Sequence, residues 1–588
     1  MDSPFSHLHG TNLIPSGPEL EELTALTLPD DSRLIELEKE IKELTSLLEK
    51  TTMEKAAVLK KIRPIKALTS LIRRLPTEIL QLIFLHARIP PAPDTTTFRA
   101  CDTPFTLLRV CQSWREIAEN TPQLWSTFNV SLPQQLVDRQ DPSKIASFID
   151  EVRRWLKRSG DVPLRITVSK DSDSTDRAHL LSREALNSAF RVVVEQCHRW
   201  EALDVELCDA TMKLLADLTA DSTPLLKSLK IREYKWYNPN TSLFRCTALL
   251  SALHLEKLHV WSNDPVIHKL SDAPVKWENL TSLSLGNTYV QHQVHVGLNA
   301  PTPPPLNHAL LLILEKCVNL RSLLVTLPRT KLSRPLHEVT LQKLRSLNLG
   351  GCSTQIDLLL KNIITPSLRE MHYYPHYEIS KHEPLPFLKF IEQQCGRLEV
   401  LCFDAPSFTA GNLTSCLKAV PSVKQLMIGR QLLNPFASRS IGPYPYLNHD
   451  DPYHFTDAHL AILTPPGCCP SLEILRILIK CQLTPKAVIA FLEAKTDPSI
   501  AKHGQGSRIR ELSLEELPDS FPLLSYRYPQ NPWGDDMEDI LSSFKEKGVE
   551  LSLSLTNYHC PTRYLPPLQH LYSYDSDFGS APLGAPLR

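Results

Sequence analysis

Apolar residues recur at Leu34, Leu37, Ile41, Leu44, Leu48, Val58 and Ile62, close to alternating steps of three and four, while Glu and Lys fill the faces between. That period predicts a coiled-coil-like helix over 31–63. Thr51 and Lys55 interrupt the seam and Pro64 is expected to end it. About four heptads remain, a stripe that suits weak self-association through 34–62 or a helix laid on its own protein. Residues 1–30 are rich in Pro, Ser and acidic side chains without a sustained period, and read as a disordered lead-in.

A second pattern follows in LPTEILQLIF. Pro76 suits a first helical turn, where its missing N–H has no partner to lose, and Ile79, Leu80, Ile83 and Phe84 then share an apolar face. The Pro-rich connector IPPAPDTTTFRACDTP cannot continue that helix. In PFTLLRVCQSWREIAEN a further helix gathers Leu107, Val110, Cys111 and Trp114 on one side, with Ile117 and Ala118 close by. Two short helices with apolar faces this broad need a third element or a partner to cover them. Residues 131–160 read as a linker carrying an amphipathic helix, IASFIDEVRRWLKRSG, closed by a glycine.

From VPLRITVS onward a helical stretch alternates with L-x-x-L-x-L or a close variant. The strand parts are WEALDVEL, LLKSLKI, LEKLHV, NLTSLSL, NLRSLLV, KLRSLNL, SLREMHY, RLEVLCF, SVKQLMI, SLEILRI and IRELSL. Their spacing, roughly 24 to 49 residues, is similar to that of leucine-rich repeats with insertions. Leucines turned inward alternate with polar residues such as Arg345 and Ser346, which predicts an irregular α/β horseshoe over 161–555. Residues 556–588, rich in Pro, Ser and Tyr, read as a tail.

Composition narrows the function. Lys plus Arg number 64 against 65 Asp plus Glu, so no broad positive field exists for nucleic acid or an anionic membrane. No run approaches the roughly 18 apolar residues of a membrane span, and the first residues lack a secretory pattern, so a cytoplasmic or nuclear location is expected. The 14 cysteines form no CxxC pair and read as reduced core thiols. In that setting the triplets at Asn129 and Asn279 are not expected to carry glycans. With 18 glycines there is neither a phosphate-binding G-x-x-x-x-G-K-[ST] nor a G-x-S-x-G elbow, and Gly504 to Arg510 read as a flexible basic loop. His292 and His295, and His372 and His376, lack a third ligand at helical spacing and read as solvent-facing loop histidines. No enzyme activity, metal or cofactor is expected.

LPTEILQLIF followed by LLRVCQSWREIAENTPQLW strongly resembles the F-box, over 73–130, and WLKRSGDVPLRITV with CHRWEALDVEL looks like the continuation seen in large fungal F-box families. The connector is longer than usual, and the repeats are too degenerate for a named substrate-binding subfamily. The resemblance implies an α/β chain with an N-terminal helical segment and a three-helix F-box, followed by the leucine-rich-repeat horseshoe. It also implies docking on a Skp-type adaptor, and through it on a cullin, with an unidentified target held by the repeats. Carried over, Leu75, Pro76, Ile79, Leu80, Ile83, Leu107, Val110, Cys111 and Trp114 are the docking or docking-supporting positions. Leu80, Ile83 and Val110 have a competing reading as core, and Trp114 and Trp125 are expected to hold the module together. The function implied is substrate recognition for a ubiquitin ligase; the alternative is an adaptor-bound scaffold that drives no degradation.

Overall fold

A computed structural model describes residues 16–88, 103–130, 142–168, 179–207, 209–233, 247–262, 270–287, 306–328, 337–376, 385–394, 397–403, 410–429, 455–464, 467–478, 481–497, 508–515 and 542–554. The chain divides into two units, Met1–His86 and Ala87–Arg588. Expectations for residues 1–15, for His292 and His295, and for the tail at 556–588 lie outside the described residues.

In the first unit one helix runs Gly17–Leu68, 52 residues. It starts well before residue 31, so residues 17–30 are helical rather than a disordered lead-in. The start signal is local: Ser16 N and Oγ both donate to Glu19 Oε2, at 2.8 and 2.6 Å, and Pro18 sits in the first turn. Nor does Pro64 end the helix. Pro64 costs the helix one amide donor, yet the turns beyond it still form, and Thr69 N closes the final one on Ile65 O at 3.2 Å. A short turn, Leu71–Arg74, then leads to the helix Thr77–His86.

Among the described residues of the second unit, fourteen strands form one all-parallel sheet in chain order, from Thr127–Val130 to Glu550–Ser554. Parallel neighbours need a crossover between them, and right-handed crossovers in sequential order put every helix on the same face. Consecutive helices accordingly touch, Pro142–Arg158 against His179–Val194 and Asp457–Leu463 against Pro485–Thr496 among them. All eleven quoted repeat segments become strands of this sheet.

The repeat signature has a direct structural meaning. One row of register runs Leu203, Leu229, Leu258, Leu283, Leu323, Leu347, Met371, Leu401, Leu426, Leu475 and Leu512, and every member is buried. Each such side chain contributes about 1.5–3 kcal/mol on burial. Just ahead of the strands, single carbonyls hold two amides of the next repeat: Lys227 O accepts from Glu256 N and Lys257 N at 2.8 and 2.9 Å, and Arg345 O from Arg369 N and Glu370 N at 2.9 Å each. Stacking is therefore fixed by apolar rows and by backbone bonds that require no particular side chain.

Two boundaries differ from expectation. The sheet begins at Thr127, inside the segment expected to close the helical module at 130, because Phe128 and Val130 pair beside Ile166 and Val168 and are buried. The helix Pro142–Arg158 is consequently the crossover of the first β-α-β unit and not a linker. Glycine is required at Gly351, where φ is +104° and a Cβ would overlap the backbone of Leu327 on the adjacent strand.

Candidate docking surfaces

The helix Thr77–His86 is launched by Pro76, which precedes it; its carbonyl accepts from Ile79 N and Leu80 N, both at 3.1 Å. Two apolar stripes then diverge. Leu80 and Phe84, four apart, are buried, whereas Ile79, Leu82 and Ile83 are 42%, 52% and 39% exposed. Pro76 is exposed as well, and Leu75 is half-buried. Of the positions carried over from the resemblance, Ile79 and Ile83 thus share an open stripe, and Leu80 is on the covered one. Leu82, which the sequence reading passed over, belongs to the open stripe.

In the second unit the stretch around Cys111 is not one helix. A turn at Leu107–Arg109 is separated from the helix Gln112–Glu119 by an extended Cys111, with φ −161° and ψ 172°. The break re-aims side chains. Leu107 is buried, Val110 is 57% exposed, Cys111 is exposed and Trp114 is half-buried. Cys111 is therefore no core thiol, unlike the buried Cys317, Cys352, Cys402, Cys416 and Cys469. Arg115 Nε donates to Leu108 O at 3.0 Å and ties the turn to the helix. Behind it Ile117, Ala118 and Trp125 are buried, and Trp125 Nε1 donates to Ala118 O at 2.9 Å.

A separate surface is the sheet face opposite the helices. Between the buried leucines, one register row runs Asp204, Lys230, His259, Ser284, Leu324, Asn348, His372, Cys402, Met427, Arg476 and Ser513. Its first members form an ion cluster: Asp204 holds Lys230 Nζ at 2.9 Å and the largely buried Arg232 through Nη2 at 2.9 Å. Burial, with Lys230 beside it, pulls the His259 imidazole down to about 4, so it is neutral at pH 7. At the other end Arg476 grips Glu511 through Nε and Nη2, at 2.5 and 2.9 Å.

His372 departs from the expected solvent-facing loop. It lies on the strand Glu370–His376, mostly buried, with Nε2 2.7 Å from Glu370 Oε1 and Cys402 as its register neighbour. Burial alone would lower this imidazole, but Cys402 and the Glu370 carboxylate outweigh it and hold it up at about 9. Glu370 is lowered in turn, chiefly by the His372 bond. Asn348 Oδ1, on the next strand, is buried without a hydrogen-bond partner. His376 is on the same strand rather than in a loop.

Among the described residues no three His, Cys, Asp or Glu come together to hold a metal ion, and no helix is long and apolar enough to cross a membrane. No protein-family model matches the chain, and no curated protein matches it either.

Proposed function

We propose that this chain is the substrate-recognition subunit of a Skp/cullin/F-box-type ubiquitin ligase. In this reading residues 73–130 are an F-box that docks the Skp-type adaptor, and the parallel sheet with its helices is an irregular leucine-rich-repeat horseshoe that holds a target protein. The chain acts by proximity, bringing a lysine of the target near activated ubiquitin carried by the cullin assembly. Work in the cytoplasm or nucleus follows from that role.

The observation that carries the reading is the open stripe of Ile79, Leu82 and Ile83 beside exposed Pro76, in the segment that resembles the F-box. Exposed aliphatic residues on one short helix are costly unless a partner covers them, and each is worth roughly 1.5–3 kcal/mol when buried. In the second unit, Val110 and Cys111, further positions that the resemblance assigns to docking, are exposed as well. For the target, the sheet face opposite the helices offers charged and polar side chains such as Lys230, Asn348 and Arg476 on a rigid frame, which suits protein recognition.

The test is affinity capture of the full chain with the proteasome blocked. Lys257→Glu with Gln425→Arg, two exposed positions on the open face, should release target proteins and keep the adaptor. If this double variant retains every partner, target binding by that face is wrong; if wild type captures no adaptor, the ligase assignment is wrong.

A further inference from the structure

The long helix Gly17–Leu68 keeps its seam in the open: Leu34, Ile41, Leu48 and Ile65 are 56–66% exposed. Counting heptads from Leu34, the seam continues past the interruptions at Thr51 and Lys55 to Val58, Ile62 and Ile65, so eight of ten core positions are apolar. Charge along the helix is sharply divided. Residues 31–49 carry six acidic and three basic side chains, whereas residues 50–68 carry six basic and one acidic.

We infer that this helix pairs with a second copy of itself, antiparallel. A parallel pair would set acidic half against acidic half and bring Lys61 against Lys66 of the second copy, with Arg33 against Glu38 as its only compensating flank. Turned end for end about residues 49–50, the same seam layers Leu34 with Ile65 and Ile41 with Val58 of the second copy. Glu40 then faces Lys61 of the second copy, twice by symmetry, and Lys55 enters the layer of Leu44 within an acidic half instead of a basic one. Charge complementarity thus selects both partner and direction. At 1.5 Å per residue the two chains leave the pair at Leu68 about 55 Å apart. This pairing does not depend on the proposed function.

Sedimentation of the full chain should give twice the 66.5 kDa chain mass, shifting towards monomer as salt rises. Direction is read by disulfide trapping in a Cys111→Ser background: Leu34→Cys chains mixed with Ile65→Cys chains should cross-link to each other, and neither should cross-link with itself. A monomer of wild-type chain overturns the pairing. Cross-linking of Leu34→Cys with itself, mapped to that position, overturns the direction.

Discussion

Trp155 Nε1 donates to the backbone carbonyl of Trp125 at 2.7 Å, and the two indoles meet edge to face with centroids 4.9 Å apart. Both are fully buried. Trp125 closes the helical segment around Gln112–Glu119, while Trp155 sits on the first crossover helix, so this bond joins the segment to the sheet. Trp155→Phe should lower stability by about 1–2 kcal/mol through loss of the bond, and Trp155→Ala by about 3–5 kcal/mol. Denaturant unfolding followed by tryptophan fluorescence reads both, and equal effects of the two substitutions would show that the indole N–H is not the linking element.

Leu80 and Ile79 are neighbours in sequence and opposite in role. Leu80→Ala should destabilise its unit by about 2–4 kcal/mol, whereas exposed Ile79→Ser should stay within about 0.5 kcal/mol. Circular-dichroism melts of the full-length variants compare them. A larger loss for Ile79→Ser would place the core on the other stripe.

The two perturbed histidines should each shape one limb of the stability profile against pH. His259, held down at about 4 in the folded chain, leaves the unfolded state binding more protons below its ordinary value of about 6.5, so stability is lost as pH falls from there through 4. His372, held up at about 9, contributes stability that is complete below about 6.5 and is lost as pH rises through 9. Melting temperature against pH should flatten on the acid limb in His259→Gln and on the alkaline limb in His372→Gln. Unchanged limbs in both variants would mean that other groups set the profile.

The sheet was legible in the sequence because the repeat strands keep a pair of apolar residues two apart, as at Leu347 and Leu349 or Leu426 and Ile428, whatever the intervening loops do. What escaped was governed by context. Thr127–Val130 is only four residues long and joins the sheet through its pairing with Leu164–Val168, which no local pattern reveals. The split between Leu80 and Ile79 was hidden because both are aliphatic and lie one residue apart. The His372 site was missed because its partners, Glu370 two residues before and Cys402 thirty after, are assembled by strand register and not by helical spacing. The early helix start was available in Ser16 and Glu19, whose spacing is that of a capping box.

Gly351→Ala isolates the demand for close strand approach. With φ at +104° and no space beside Leu327, the substitution should destabilise by about 1–3 kcal/mol, measured as a lower urea midpoint. Gly17→Ala, where a Cβ meets nothing within 4 Å, serves as the control and should leave the midpoint unchanged.

Calorimetric titration of the purified full chain with a purified Skp-type adaptor decides whether the Thr77–His86 stripe is a docking face. Wild type should bind with one site per chain, and Ile79→Asp and Val110→Asp should each abolish the heat of binding while melting at the wild-type temperature. No binding by wild type, or undiminished binding by both variants, would contradict the assignment.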